Sequence, residues 1–138
     1  MDAYICLTVK AVKNTMRPTM HSLGVDIIEI SRIEKVLERW GRRFLGRIYT
    51  EAEINLSGSK PSSLASRFAA KEAVMKTLGT GVNGVSWREI EILADPSGKP
   101  LVCLCGKARD RADELGLSGL AVSLSDSREY AVAFVVGE

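Results

Sequence analysis

The sequence predicts a single α+β domain in which a mostly antiparallel sheet packs against one long helix. The predicted elements come in the order strand, three helices, hairpin, helix, hairpin, so strands and helices are segregated along the chain. The chain has 138 residues, a length that supports one hydrophobic core but not two. We expect the domain to span residues 20–138, after a dispensable extension at residues 1–19.

The extension does not resemble the start of a compact domain. Residues 4–9 could form a short strand, but this apolar run is too short for a signal peptide and no charged segment precedes it. Met16 and Met20 both precede the first convincing element, which is consistent with an upstream start codon. No stretch of the sequence approaches the apolar length that a membrane-spanning helix needs.

The first convincing strand, residues 23–30, contains two acids. Glu29 lies near its end and can reach water. Asp26 is surrounded by apolar or β-branched residues, where a carboxylate is costly unless it is paired, hydrogen-bonded or bound to a metal. The structural alternative for Asp26 is a solvent-facing position on a half-exposed strand.

A basic helix follows this strand. Ser31 and Glu34 form a capping-box pattern, which predicts a helix that begins at Ser31 and runs to about Trp40, with Gly41 as the stop. Five cations occupy its exposed side and the residues just after it: Arg32, Lys35, Arg39, Arg42 and Arg43. This patch is either a solvated helix face or a docking surface for an acidic partner.

Two further helices are predicted next. Thr50 and Glu53 repeat the capping-box pattern and begin a short helix that ends near Leu56. After a loop, a long helix spans residues 62–78, capped by Ser62 or Ser63 and ended by Gly79. Its core-facing stripe follows helical spacing and comprises Leu64, Phe68, Val74, Met75 and Leu78.

Charged residues on the long helix are the main candidates for chemistry. Glu72 lies on the flank of the apolar stripe, and Lys76 follows one turn later among small side chains. A solvated ion pair worth roughly 0.2–0.5 kcal/mol is the structural interpretation, and a site that a ligand approaches closely is the functional one. Lys71 falls inside the apolar stripe, which is unusual for a charged residue.

The rest of the chain is predicted to form turns, strands and one helix. Residues 79–84 are a glycine-rich connection whose backbone N–H groups could approach a phosphate, although such a segment is often only a turn. The remaining elements are strands at 87–93 and 101–105, a helix at 107–115, and strands at 120–124 and 130–136.

Composition and motifs exclude several classes of protein. A net charge of +2 gives no global basic field of the kind that nucleic-acid binders carry. Three cysteines without metal-ligand spacing disfavour a disulfide scaffold or a zinc site and indicate a reducing cytosol. There is no Walker loop, protein-kinase signature or dinucleotide fingerprint.

Asp26 and Glu72 are two carboxylates in otherwise apolar or small surroundings. Mg²⁺ takes oxygen ligands, commonly one or two carboxylates plus waters and substrate phosphates. Arg67, Lys71 and Lys76 lie on the helix of Glu72 and supply the charges that a phosphorylated ligand needs. The residues therefore indicate metal-assisted phosphoryl chemistry.

The same segments resemble a known family, the holo-[acyl-carrier-protein] synthases, which are the small bacterial type of 4′-phosphopantetheinyl transferase. The similarity is carried by residues 24–33, by residues 67–73 with Lys76, and by further matches in the same order: 44, 47–50, 53, 79–81, 90–92, 98–100, 122–126 and 130–131. It covers about residues 20–136.

The resemblance implies transfer of the 4′-phosphopantetheine arm of coenzyme A to a serine of apo acyl carrier protein, with release of adenosine 3′,5′-bisphosphate. Asp26 and Glu72 match the family's Mg²⁺ ligands. Lys76 would bind phosphate or neutralise the leaving group, and Glu72 or a metal-bound water would take the serine proton. The expected coenzyme A-binding residues are Arg67, Lys71, Lys76, Gly79, Thr80, Gly81 and Asp126. At Asp126 many relatives carry histidine, although some carry an acid.

The resemblance also implies partners. Acyl carrier proteins are acidic, so Arg32, Arg39 and Arg42 are expected to receive them, and salt should weaken the association. Family members are typically cytoplasmic homotrimers of fatty acid biosynthesis with active sites between subunits. Neither a nucleic acid nor a membrane is expected as a partner.

Two other functions are compatible with these residues. A non-catalytic module for nucleotides or acidic proteins would keep its affinity after alanine substitution of Asp26 or Glu72. A Mg²⁺-dependent nucleotide phosphohydrolase would turn over coenzyme A without any carrier protein.

Overall fold

The computed structural model describes residues 5–6 and 21–138 of the chain. In order, its elements are β1 (Ile5–Cys6), β2 (Ser22–Glu29), α1 (Ile30–Ile48), α2 (Glu51–Ser57), α3 (Pro61–Leu78), α4 (Gly81–Gly84), a 3₁₀ turn (Trp87–Glu89), β3 (Ile90–Ala94), β4 (Pro100–Leu104), α5 (Gly106–Glu114), β5 (Leu120–Asp126) and β6 (Tyr130–Gly137). The predicted α+β class is confirmed. No helix in the described part is long and apolar enough to cross a membrane.

The strands form two antiparallel sheets of three strands each among the described residues. One has the order β1-β4-β3 and the other the order β2-β6-β5. In the second sheet Asp26 is opposite Ala133, and Asp126 is opposite Ala131. β2 and β5 are therefore the outer strands of this sheet, and β6 separates them. The strand expected at residues 4–9 is described only at 5–6, which pair with β4; the rest of the expected extension lies outside the described residues.

Several predicted helix boundaries are corrected by the structure. α1 begins at Ile30 after Glu29, so the capping box expected at Ser31 is wrong. Gly41 is a kink with φ 46° and not a stop, because the helix resumes and continues to Ile48. α3 begins at Pro61, whose fixed φ suits the first turn of a helix, and not at a serine cap.

Other boundaries are as predicted. Thr50 and Glu53 form the expected capping box at α2, with the Thr50 N–H donating to Glu53 Oε2 at 2.8 Å. Gly79 ends α3 in the left-handed conformation, φ 67°.

One strand boundary differs from the prediction. The strand expected from Trp87 begins only at Ile90, because residues 87–89 form the 3₁₀ turn.

The core lies where α3 packs on the inner face of the β2-β6-β5 sheet. Ala65, Ala69 and Ala73 of α3 are fully buried, so small side chains bring the helix close to the strands. Gly24 of β2 completes this fit, because a Cβ at that position would overlap the carbonyl oxygen of Ala73. The close packing of β2 on α3 determines which side chains meet along their shared edge.

The outer face of the same sheet is apolar and exposed. Leu23, Val25 and Ile27 of β2 are 57%, 52% and 63% exposed, and Phe134 of β6 is 45% exposed. Val25 is directly opposite Phe134 in the strand register. We call Leu23, Val25, Ile27 and Phe134 the apolar outer face; a patch of this kind on a small protein typically marks an interaction surface.

Candidate active site

Asp26, Glu72 and Lys76 meet where β2 packs on α3. The Asp26 side chain points to the helix side of the sheet, together with Gly24, and is only 11% exposed. The Lys76 ammonium lies 3.0 Å from Asp26 Oδ1 and donates a second hydrogen bond, 2.7 Å long, to the Val25 carbonyl oxygen. Its side chain is 55% exposed, so this cation remains open to solvent and to a ligand.

The two carboxylates of the site disturb each other. Partial burial, followed by the negative charge of Asp26 and a hydrogen bond with it, raises the pKa of Glu72 above its ordinary value. The positive charges of Lys76 and Arg32 act in the opposite direction but do not cancel this effect. Two acids that repel at one position form a site that binds a cation favourably.

The donors fit a hard divalent cation. Within residues 5–6 and 21–138 no group of three or more histidine, cysteine, aspartate or glutamate side chains could hold a metal. An ion bound by Asp26 and Glu72 would therefore complete its shell with water or ligand oxygens, as Mg²⁺ commonly does. We refer to Asp26 and Glu72 below as the acid pair.

A cavity of about 160 Å³ opens beside the acid pair, with Arg32 at its edge. It adjoins a larger groove of about 540 Å³, which we call the aromatic groove. Val36, Phe44 and Phe68 line both spaces. The residues that line the aromatic groove are Val36, Trp40, Arg43, Phe44, Arg47, Ile48, Phe68 and Trp87.

Contacting aromatic rings and two arginines line the aromatic groove. The rings of Phe68 and Trp87 stack with centroids 4.8 Å apart, and Phe44 is 6.5 Å from Phe68. The cations that line the groove are Arg43 and Arg47. The predicted carrier-binding residues Arg32, Arg39 and Arg42 are exposed on α1. The sequence alone does not reveal this groove or the place of Arg47 in it, because the aromatic residues come from segments far apart in the chain.

Arg67 and Asp126, two predicted coenzyme A-binding residues, line a different cavity, of about 620 Å³. Arg67 is oriented by donating to the Ile92 carbonyl oxygen at 3.2 Å and to Ser63 Oγ at 2.6 Å. Burial lowers the pKa of its guanidinium. We call this space the Arg67 cavity; its other lining residues include Ser62, Ser66, Lys99 and Pro100.

The Arg67 cavity and the acid pair lie on opposite flanks of α3. The cavity is lined by residues of β5 and of the β3–β4 hairpin, whereas the acid pair is at β2, on the other side of β6. In the register, Asp126 is opposite Ala131, and Ala131 is opposite Ile28. A single chain therefore does not bring Arg67 and Asp126 together with Asp26, Glu72 and Lys76.

Lys71, which the resemblance predicts to bind coenzyme A, is buried and held by groups of the protein itself. Its side chain has no exposure, and its ammonium donates to Glu53 at 2.7 Å, to the Ile48 carbonyl at 2.8 Å and to the Trp87 carbonyl at 3.1 Å. An ammonium has three donors, so these contacts use all of them. Periodicity placed Lys71 in the apolar stripe correctly, but it could not reveal the buried partner.

Two backbone N–H groups of the glycine-rich turn, which was expected to approach a phosphate, have partners within the protein. The Gly79 N–H donates to the Lys76 carbonyl and the Thr80 N–H to the Met75 carbonyl, each at 3.1 Å. These two groups therefore close the end of α3. Gly81, with φ 60°, begins the short α4.

Comparisons with known proteins show what this chain is similar to. Residues 22–135 match the family model described as the 4′-phosphopantetheinyl transferase superfamily. A holo-[acyl-carrier-protein] synthase of Herpetosiphon aurantiacus is 51% identical over 121 residues, which cover 83% of this chain and 95% of that protein. Its counterpart in Dehalococcoides mccartyi is 53% identical over 115 residues, covering 83% of this chain and 96% of the relative.

Solved structures give the same result. The Helicobacter pylori holo-[acyl-carrier-protein] synthase in complex with coenzyme A has a TM-score of 0.77 at 36% identity, covering 84% of this chain and 99% of that one. The Neisseria meningitidis enzyme has a TM-score of 0.75 at 41% identity, with 85% and 97% covered. The family resemblance predicted from sequence is confirmed, and the chain belongs to the 4′-phosphopantetheinyl transferase superfamily.

Proposed function

We propose that this chain transfers the 4′-phosphopantetheine arm of coenzyme A to a serine of apo acyl carrier protein, releasing adenosine 3′,5′-bisphosphate. The observation that carries the proposal is the acid pair with Lys76, on a chain about half identical to proteins named holo-[acyl-carrier-protein] synthase. A structural neighbour was solved with coenzyme A, which supports that donor.

The acid pair would hold Mg²⁺, which when bound would offset charge on the coenzyme A pyrophosphate. In the reaction the serine oxygen forms a bond to the phosphorus next to the pantetheine arm, and the bond from that phosphorus to the bridging oxygen breaks. Lys76 is exposed and can donate to a phosphate oxygen, which stabilises the departing bisphosphate. Glu72, or a water beside it, accepts the serine proton.

The Arg67 cavity is the proposed site for the nucleotide end of coenzyme A. Arg67 and Lys99 provide two cations for its phosphates, and three serines of α3 provide hydroxyls. Asp126 at the cavity edge faces the same ligand, with a negative charge where many relatives carry histidine. Of the three predicted turn residues 79–81, Gly81 is retained as a backbone contact to coenzyme A.

The Arg67 cavity and the acid pair, which we call the two half-sites, lie on opposite flanks of α3. This placement supports a homotrimer. If the β5 flank of one chain meets the β2 flank of the next, the Arg67 cavity and a neighbour's acid pair form one complete cleft. Such a head-to-tail contact uses two different surfaces and closes into a ring when the rotation permits. The apolar outer face supplies surface that the contact would bury.

Acyl carrier protein is proposed to dock on α1. Arg39 and Arg42 attract its acidic surface, and Arg32 extends the positive charge to the edge of the acid pair. The aromatic groove gives apolar side chains of the partner a place to bind beside these charges. A cytoplasmic location accompanies this proposal and agrees with three cysteines that lack a disulfide pattern.

Intact-mass spectrometry of apo acyl carrier protein, incubated with this chain, coenzyme A and Mg²⁺, tests the proposal. We expect a mass gain of one phosphopantetheine that is lost in Glu72→Ala and with chelator, but kept in Asp110→Ala, which changes an exposed acid on α5. Cleavage of coenzyme A without carrier protein would identify a phosphohydrolase. Coenzyme A binding without transfer, unchanged in Glu72→Ala, would identify a binding module.

A further inference from the structure

The residue that precedes Glu72 on α3 belongs to a buried polar network. Lys71 and Glu53 form an ion pair 2.7 Å apart, and neither side chain has any exposure. The other two donors of the Lys71 ammonium are taken by the carbonyls of Ile48 and Trp87. The ammonium also lies 5.6 Å from the ring centroid of Tyr49.

Glu53 extends this network to other elements. Its Oε1 accepts from the Ile92 N–H at 2.9 Å, and its Oε2 accepts from the Thr50 N–H at 2.8 Å. The Thr50 hydroxyl in turn donates to a second buried acid, Glu91. The end of α1, the start of α2, the 3₁₀ turn and β3 are therefore all tied to one point on α3.

The gain in stability does not explain why such a pair is present. Moving two charges from water into a core costs several kcal/mol per ion, and replacement by apolar side chains is often neutral or stabilising. The hydrogen bonds of the pair do, however, require one arrangement of the helices and strands around it. Hydrogen bonds with fixed directions specify the rotation of a helix more closely than apolar contacts do.

That rotation matters because of what the next residue does. Successive side chains on a helix are about 100° apart, so holding Lys71 in the core fixes the direction of Glu72 toward Asp26. The two carbonyls that Lys71 contacts belong to Ile48 and Trp87, which both line the aromatic groove. The same ammonium thus joins the helix of the acid pair to the walls of the groove.

We propose that Lys71 and Glu53 are positioning residues that set the rotation of α3, and through it the position of Glu72 relative to Asp26 and the aromatic groove. This inference deepens the proposed transfer and rests on it. Neither side chain touches a substrate. Their effect on the reaction is exerted through the position of α3 and of Glu72 on it.

The test uses the double variant Lys71→Met/Glu53→Gln, which removes both charges and keeps similar side-chain volumes. At a temperature well below its melting point, we expect at least about tenfold weaker Mn²⁺ binding and an at least about tenfold lower kcat, because small misplacements of reacting groups are costly. The KM for coenzyme A should change by a smaller factor than kcat, because Arg67 keeps its hydrogen bond to Ser63 of the same helix. A crystal structure should show the Glu72 carboxylate displaced from Asp26.

The matched control is Leu117→Ala, a buried truncation between α5 and β5 whose side chain lies beside Gly137, away from this network. It should lower the melting temperature and leave Mn²⁺ affinity and kcat unchanged. Wild-type Mn²⁺ affinity and kcat in the folded double variant, with Glu72 in place, would overturn the proposal and leave the pair a purely structural element. If this double variant does not fold, Lys71→Gln/Glu53→Gln, which also leaves no unpaired charge in the core, is measured against the same criteria.

Failure of the proposed function would be separable from failure of this inference. A wild-type protein that transfers nothing to a carrier protein would refute the transfer. The crystal structure and Mn²⁺ affinity of the variant would still decide whether Lys71 and Glu53 position Glu72.

Discussion

Gly24 of β2 lies directly against the Ala73 carbonyl of α3, and this contact places Asp26 beside Glu72. A Cβ at position 24 would overlap both that oxygen and the Thr77 hydroxyl. We expect Gly24→Ala to cost about 1–3 kcal/mol in the free energy of unfolding, as overpacked sites do. Transfer should fall at least about tenfold, because the acid pair separates.

Denaturant titration and initial rates measure both effects. Gly46→Ala on α1 is the control, since no atom lies within 4 Å of its added Cβ. That substitution should be neutral or stabilising by up to about 1 kcal/mol. A fully stable and active Gly24→Ala protein would show that close packing of β2 on α3 is not needed.

Glu72→Gln should stabilise the protein at neutral pH in the absence of metal. Burial and Asp26 raise the pKa of Glu72, so the folded state binds its proton more tightly than the unfolded state does. The resulting cost is absent below the ordinary value of 4.5, develops as pH rises to the raised pKa, and is complete above it. The variant's higher melting temperature should therefore disappear on acidification, whereas Glu38→Gln should follow the wild type throughout.

Mg²⁺ should reverse the order of the melting temperatures of the wild type and Glu72→Gln. A ligand that binds only the folded state raises stability by mass action, so the wild-type melting temperature should rise with Mg²⁺ concentration. Asp26→Asn and Glu72→Gln should respond much less. Equal stabilisation of both variants and of the wild type, measured by scanning calorimetry, would locate the ion elsewhere.

Charge reversal on α1 should weaken recognition of acyl carrier protein while sparing the reaction. Arg39→Glu/Arg42→Glu is expected to raise the KM for the carrier at least about tenfold with kcat nearly constant, because charges at the edge of an interface act mainly on association. Rising salt should raise the wild-type KM and affect the variant little. Lys107→Glu, exposed on α5, is the control; an equal effect there would indicate non-specific attraction.

An acid in the apolar outer face should dissociate the proposed trimer. We expect Phe134→Asp to elute as a monomer, measured by light scattering, and to lose transfer because its two half-sites no longer meet. Leu56→Asp changes an equally exposed apolar residue on α2 and should remain assembled and active. An active Phe134→Asp monomer would mean that one chain suffices.

Sequence patterns predicted those features that depend on nearby residues. The order of elements follows from apolar periodicity and turn residues. Asp26 was a candidate site residue because a carboxylate is costly among the apolar residues around it. The capping box at Thr50 and Glu53 was also predictable, because both partners lie within one helical turn.

Features that depend on distant segments could not be predicted in the same way. The partners of Lys71 come from three other elements, so spacing along α3 gives no information about them. The aromatic groove combines Trp40, Phe44, Phe68 and Trp87 for the same reason. At Gly41 the sequence shows that the helix is interrupted, but only packing determines whether the chain turns away or resumes the helix.

If the exposed apolar face on β2 and β6 is buried in the proposed trimer, the activity per chain depends on protein concentration. In an assembly whose clefts are each shared between two chains, activity per chain falls once dilution favours the separated subunits. The rate would then change more steeply than the quantity of enzyme, so a modest change in expression would produce a larger change in output. Variants are comparable only when assayed at the same chain concentration.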